Sequence, residues 1–123
     1  MTFGQKAFRF HQELRYTGGP LPHGIGIMNP FAEYPYTLSI AAKFFQKYFD
    51  DDRPRHIILG INPGRLGAGL TGIPFTDPKR LKDECAIEYP GKPTHEPSSV
   101  FIYDMIRAYG GVAEFYRDFY IIT

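Results

Sequence analysis

Apolar residues recur at helical spacing from the first residues of the chain. Phe3, Ala7, Phe10 and Leu14 fall on one stripe, with Lys6, Arg9 and Glu13 among the polar positions. This pattern predicts an amphipathic helix over residues 2–17. Gly18, Gly19, Pro20 and Pro22 stop it, and a loop runs on through Gly24, Gly26, Asn29 and Pro30. The small apolar residues of that loop predict that part of it packs on the body. The helical period returns over residues 36–49 through Leu38, Ala41, Phe45 and Tyr48. The acidic run Asp50–Asp52 reads as the exit turn, because a helix C-terminus disfavours negative charge.

After Pro54 the pattern changes to a short apolar run, residues 55–61 (RHIILGI), which predicts a buried parallel strand. A Gly- and Pro-rich loop follows from Asn62 to Pro78, then a short helix over 79–86. Residues 87–97 carry three prolines and read as extended or looped. Ser98 or Ser99 suits the N-cap of a helix ending at Gly110–Gly111, and Val112–Asp118 suits one or two further turns. Residues 119–123 (FYIIT) form a second apolar strand candidate. Helix, helix, strand, loop, helix, strand is the opening of an α/β sheet with parallel crossovers. Ligands of such sheets sit beyond the carboxyl ends of the strands. No loop follows the second strand before Thr123, so an incomplete domain is expected, with a sheet edge and apolar surface favouring association.

Composition narrows the class. The 123 residues suit one domain, and 43% apolar with 22% charged residues excludes disorder for most of the chain. The net charge of +1 means that any nucleic-acid binding must rest on a local basic patch. Cys85 is the only cysteine, which excludes an intrachain disulfide and a cysteine-held zinc or iron–sulfur centre. No basic start with an apolar run marks a signal peptide, and no stretch approaches the ~18 apolar residues of a membrane span. A cytoplasmic protein without metal, cofactor or membrane partner is expected.

The chemistry concentrates in Gly60–Gly64 (GINPG), Arg65–Leu70, and Thr71–Phe75 (TGIPF), directly after the first strand. Gly64, Gly67 and Gly69 permit close backbone approach, and exposed amides in such a loop bind anions. The segment is neither a Walker loop nor a GxGxxG fingerprint.

GINPG, a six-residue spacer and TGIPF resemble the first motif of the uracil-DNA glycosylase superfamily. GINPG is similar to the mismatch-specific branch, whereas the spacer length resembles the single-strand-selective monofunctional branch. IMNPF (27–31), HEPSSVFIYDMIRAYGG (95–111) and FYRDFYIIT (115–123) also resemble a bacterial offshoot of that branch. The resemblance implies a three-layer α/β fold around a central parallel sheet, with the C-terminal part missing here. It implies removal of a flipped uracil from DNA by hydrolysis of the N-glycosidic bond. Asn62 would position the attacking water through its side-chain carbonyl, a weaker partner than the general base an Asp provides. Phe75 would stack on the base. Gly60, Ile61 and Gly64 would approach its edge through backbone atoms, and Pro63 and Pro74 would stiffen the pocket. Arg65, Gly67, Gly69, Lys79 and Arg80 are the candidate DNA contacts.

Each residue also has a plainer reading. Asn62 suits a loop cap after a strand, Phe75 a core aromatic, and the glycines simple turn geometry. Arg65, Lys79, Arg80 and Lys82 suit a solvated face, and Cys85 an inert small residue. The family's catalytic histidine belongs to a second motif to which no part of this chain corresponds. His11, His23 and His56 read as structural or exposed; His95 lies in a loop able to face the site, without that role. Two rival functions remain: a catalytically incomplete nucleic-acid-binding remnant of the fold, and a small-molecule-binding α/β domain.

Overall fold

A computed structural model describes residues 1–123. In chain order the helices are α1 (Phe3–Glu13), α2 (Pro30–Glu33), α3 (Pro35–Tyr48), α4 (Ala68–Thr71), α5 (Pro78–Cys85), α6 (Pro97–Tyr109) and α7 (Val112–Asp118). Strand β1 (His56–Leu59) falls between α3 and α4, and β2 (Phe119–Ile122) follows α7. The strands pair in parallel, with His56 opposite Phe119 and Leu59 opposite Ile122. The architecture is the expected mixed α/β fold with a parallel sheet.

Helix α1 starts in a capping box. Thr2 Oγ1 accepts from the Gln5 amide, and the Gln5 side chain accepts from the Thr2 amide. Its first turn then meets the end of α3, where the amides of Phe3 and Gly4 donate to the carbonyls of Asp51 and Phe49. Two helix ends thereby satisfy each other's unpaired backbone groups. The core runs from α3 (Ile40, Ala41, Phe44, Phe45) and Phe49 to Tyr103, Ile106, Phe115, Tyr116 and Ile121.

Arg55 locks the entry to β1. Its side chain is fully buried and bidentate on Asp51 at 2.8 and 2.9 Å. It also donates to the carbonyls of Tyr116 (2.7 Å) and Tyr48 (3.3 Å) and stacks on the rings of Phe3 and Phe49. The acidic exit turn is therefore the counter-charge of a buried guanidinium, whose hydrogen bonds hold the Asp51 carboxyl below its usual range.

Four expectations are corrected. Strand β1 is not buried on both faces: Ile58 packs on the core, but Ile57 and Leu59 are 68% and 79% exposed, because no helix covers their side of the sheet. Helix α1 ends at Glu13 rather than residue 17; residues 14–28 lie exposed, and the expected packing of the loop on the body is confined to its end, at the half-buried Asn29 and the buried Pro30. Two four-residue helices interrupt expected loops, one capped by the Asn29 side chain with Pro30 in its first position. The other closes at Gly72, whose φ of 78° lies in the left-handed region. Helix α6 begins at Pro97, so Ser98 and Ser99 sit inside its first turn rather than capping it. No helix is long and apolar enough to cross a membrane.

Candidate functional site

The loop after β1 folds back on itself. The Gly60 amide extends the ladder by donating to the Ile122 carbonyl at 2.7 Å. The chain then turns, and the amides of Gly67 and Gly69 both donate to the Gly64 carbonyl at 3.2 and 2.7 Å. A Cβ at Gly69 would stand 2.8 Å from that carbonyl oxygen, so the close approach requires glycine there.

The second half of the loop is held by buried threonines. Thr71 Oγ1 accepts from the Ile73 amide at 3.0 Å and donates to the Thr76 carbonyl at 2.7 Å. Thr76 Oγ1 shares a 2.7 Å hydrogen bond with the Tyr103 hydroxyl, which reaches on to Tyr116 at 3.2 Å. Between them Phe75 adopts φ 54°, a left-handed conformation that bulky residues rarely take and that persists where surrounding bonds over-determine it. Cys85 is fully buried beside Tyr103, and burial pushes its thiol pKa up, as an inert thiol requires.

These constraints bring Asn62, Pro63, Gly64 and Phe75 onto one cavity of about 90 Å³, completed by Ala68, Glu96, Ser98 and Thr123. It lies at the carboxyl end of β1. Asn62 is exposed, and its side chain makes one weak bond, Nδ2 to the Pro63 carbonyl at 3.4 Å. The amide's oxygen is therefore free for a ligand or a water. A larger open groove of about 620 Å³ runs between α1 and α3, but it contains no residue of the loop.

The other candidate residues lie elsewhere. Gly60 and Ile61 are not in the cavity wall; the Gly60 amide is spent on the ladder, and Ile61 is 98% exposed. Gly67 and Gly69 are buried with their amides spent on Gly64, which corrects the expectation of free anion-binding donors there. Arg65 and Lys79 are exposed. Arg80 instead turns back on α5, with its guanidinium 3.4 Å from the buried Asp77 carboxylate. Lys79, Lys82 and His95 line a separate cavity of about 390 Å³ with Asp83 and Thr94.

Two acidic residues that sequence reasoning passed over organise the site. Asp77 is fully buried; its carboxylate accepts from the amides of Arg80 (2.8 Å) and Glu96 (2.7 Å), while its own amide donates to Ser99 Oγ at 3.1 Å. Glu96 reaches across to the loop, where its carboxylate accepts from the Leu66 amide at 2.6 Å. Asp77 before Pro78 was legible as a helix N-cap; the span from Glu96 to Leu66 had no local signal.

Asn62 and Phe75 on one cavity at a strand's carboxyl end place a pocket of this α/β protein where such sheets hold their ligands. The family model of the uracil DNA glycosylase superfamily matches residues 46–123. The chain belongs to that superfamily. It is also similar to the crystal structure of wild-type SMUG2 from Pedobacter heparinus, with 59% sequence identity and a TM-score of 0.96. The match covers 100% of this chain and 53% of that one, so the chain spans about half the length of that protein. No curated protein matches the chain.

Proposed function

We propose that this chain carries the water-positioning and base-stacking part of a glycosylase that removes uracil from DNA. The observation that carries the reading is the placement of Asn62 and Phe75 on one cavity beyond β1. A flipped base needs a polar partner and an aromatic face together. The Asn62 carbonyl oxygen orients a water toward the sugar carbon C1′. As the bond from C1′ to the base breaks, its electron pair leaves with the base, and the sugar passes through a cationic state. The water oxygen bonds to C1′, and its proton is lost to solvent or to the base. The products are free uracil and an abasic site.

Asn62 is a positioning group rather than a strong base, so leaving-group stabilisation carries much of the rate. The exposed Arg65 and Lys79 supply phosphate contacts, and the Lys82–His95 surface beside Lys79 extends them. The family membership and the likeness to SMUG2 support this reading. The test is single-turnover incubation of the intact protein with an end-labelled uracil-containing oligonucleotide, followed by alkaline cleavage of abasic sites. Uracil-dependent cleavage, absent from a thymine control, is expected. Oligonucleotide binding without cleavage would favour the non-catalytic remnant instead.

A further inference from the structure

Glu96 is the only acidic residue in the wall of the Asn62 cavity. It arrives from the start of α6, far from the loop in sequence, and its backbone is fixed first. Its amide donates to the buried Asp77 carboxylate at 2.7 Å. From that anchor the side chain crosses to the loop, and its Oε1 accepts from the Leu66 amide at 2.6 Å. Oε2 is 3.4 Å from the Ser98 hydroxyl. The carboxylate lies so close to the loop backbone that a Cβ added at Gly64 would fall 2.3 Å from Oε2, and one at Gly67 3.1 Å from it. Nearby, Thr94 Oγ1 donates to the Leu66 carbonyl at 2.8 Å, so both backbone groups of Leu66 are held from the same segment.

We propose that Glu96 is the positioning residue for Asn62: its carboxylate clamps the Gly64–Leu66 turn from the Asp77 anchor and thereby fixes the direction in which the Asn62 amide faces the cavity. The role rests on the uracil-excision reading for its catalytic consequence and on geometry alone for the clamp. Asn62 has almost no hold of its own, because its side chain makes one long bond to the next residue's carbonyl. Its aim is therefore set by the backbone on either side. The ladder bond of Gly60 fixes the preceding side, and Glu96 fixes the following one. Misplacement of a reacting group by about 1 Å is enough to cost on the order of a hundredfold in rate.

The experiment compares Glu96→Ala and Glu96→Gln in the intact protein. Gln keeps a carbonyl oxygen for the Leu66 amide and removes the charge. The positioning role predicts at least a tenfold slower single-turnover excision for Ala and a rate within about threefold of wild type for Gln. It also predicts that Glu96→Ala adds little to Asn62→Ala, because one residue acts through the other. Equal slowing by Ala and Gln would overturn it, since the charge would then act directly. So would fully multiplicative losses in the double variant, or a wild-type rate for Glu96→Ala. Hydrogen exchange at the Leu66 amide gives a readout independent of catalysis and of which base is excised. Faster exchange in Ala than in Gln is expected, and unchanged exchange in Ala would overturn the clamp. A wild-type protein that excises nothing would refute the uracil reading, while the exchange result would still decide the clamp.

Discussion

Adding one methyl group at Gly69 is expected to misalign the site from inside the loop. A Cβ there would stand 2.8 Å from the Gly64 carbonyl oxygen and 3.0 Å from Met28 Sδ. Met28 is exposed, so its flexible thioether can swing away. The carbonyl cannot, because it accepts the Gly67 and Gly69 amides. Ordinary contact then requires the two backbone segments to part by roughly half an ångström. Overpacking of this kind costs about 1–3 kcal/mol, and weakening the 2.7 Å Gly69–Gly64 bond adds to it. The gain from replacing a helical glycine by alanine is only about 0.5–1 kcal/mol, so overpacking wins. Gly69→Ala should lower stability by about 1–2 kcal/mol, or roughly 4–8 °C in Tm. Because Gly64 shares the cavity wall with Asn62, single-turnover excision should fall by about 10- to 100-fold. Gly19→Ala is the control, since nothing lies within 4 Å of a Cβ at that position. Wild-type Tm and rate in Gly69→Ala would refute the steric argument.

Arg55→Met leaves Asp51 and three carbonyls without their donor, and should cost about 3 kcal/mol by urea denaturation, the low end for a broken pair because Asp51 is partly exposed; a loss under about 1 kcal/mol would show that the Arg55 network contributes little. His11 is packed against Phe31 and Phe45, and burial lowers its pKa below the ordinary 6.5. The unfolded chain therefore takes up the proton first, so stability is complete above that value and declines as pH falls toward the folded pKa. Tm should drop more between pH 7 and pH 5 in the wild type than in His11→Phe, and equal drops would contradict the assignment. The uncovered apolar face of β1 should drive association of the 123-residue chain; Ile57→Lys with Leu59→Asn should shift sedimentation toward monomer, and an unchanged profile would exclude that face.

The sequence exposed those features whose signals are local. The helical stripe of α3, the apolar run of β1 and the Gly/Pro punctuation after it each act over a few residues, and each led to the right element within a few positions. The two-part GINPG and TGIPF motif likewise led to the cavity, because a loop that doubles back must bring Asn62 and Phe75 together. What escaped depends on contacts between distant segments. Glu96 looks like an ordinary loop acid until the fold lays it on Gly64, and Ser99 looks like a helix cap until its hydroxyl oxygen accepts from the Asp77 amide. Nor does an apolar strand announce which of its faces is covered: Ile57, Ile58 and Leu59 read alike, yet only Ile58 meets the core. The amides of Gly67 and Gly69 appeared available because nothing local indicates that both turn onto one carbonyl.

The proposed role of Asn62 is to position the attacking water rather than to hold the loop together. Its side chain contributes one 3.4 Å bond to the protein, so Asn62→Ala should leave stability within about 0.5 kcal/mol of wild type. Oligonucleotide affinity should also change little, because phosphate contacts dominate it. Single-turnover excision of uracil by the intact protein should nevertheless fall more than tenfold, the scale of one well-placed polar group. Wild-type excision by Asn62→Ala would contradict the account.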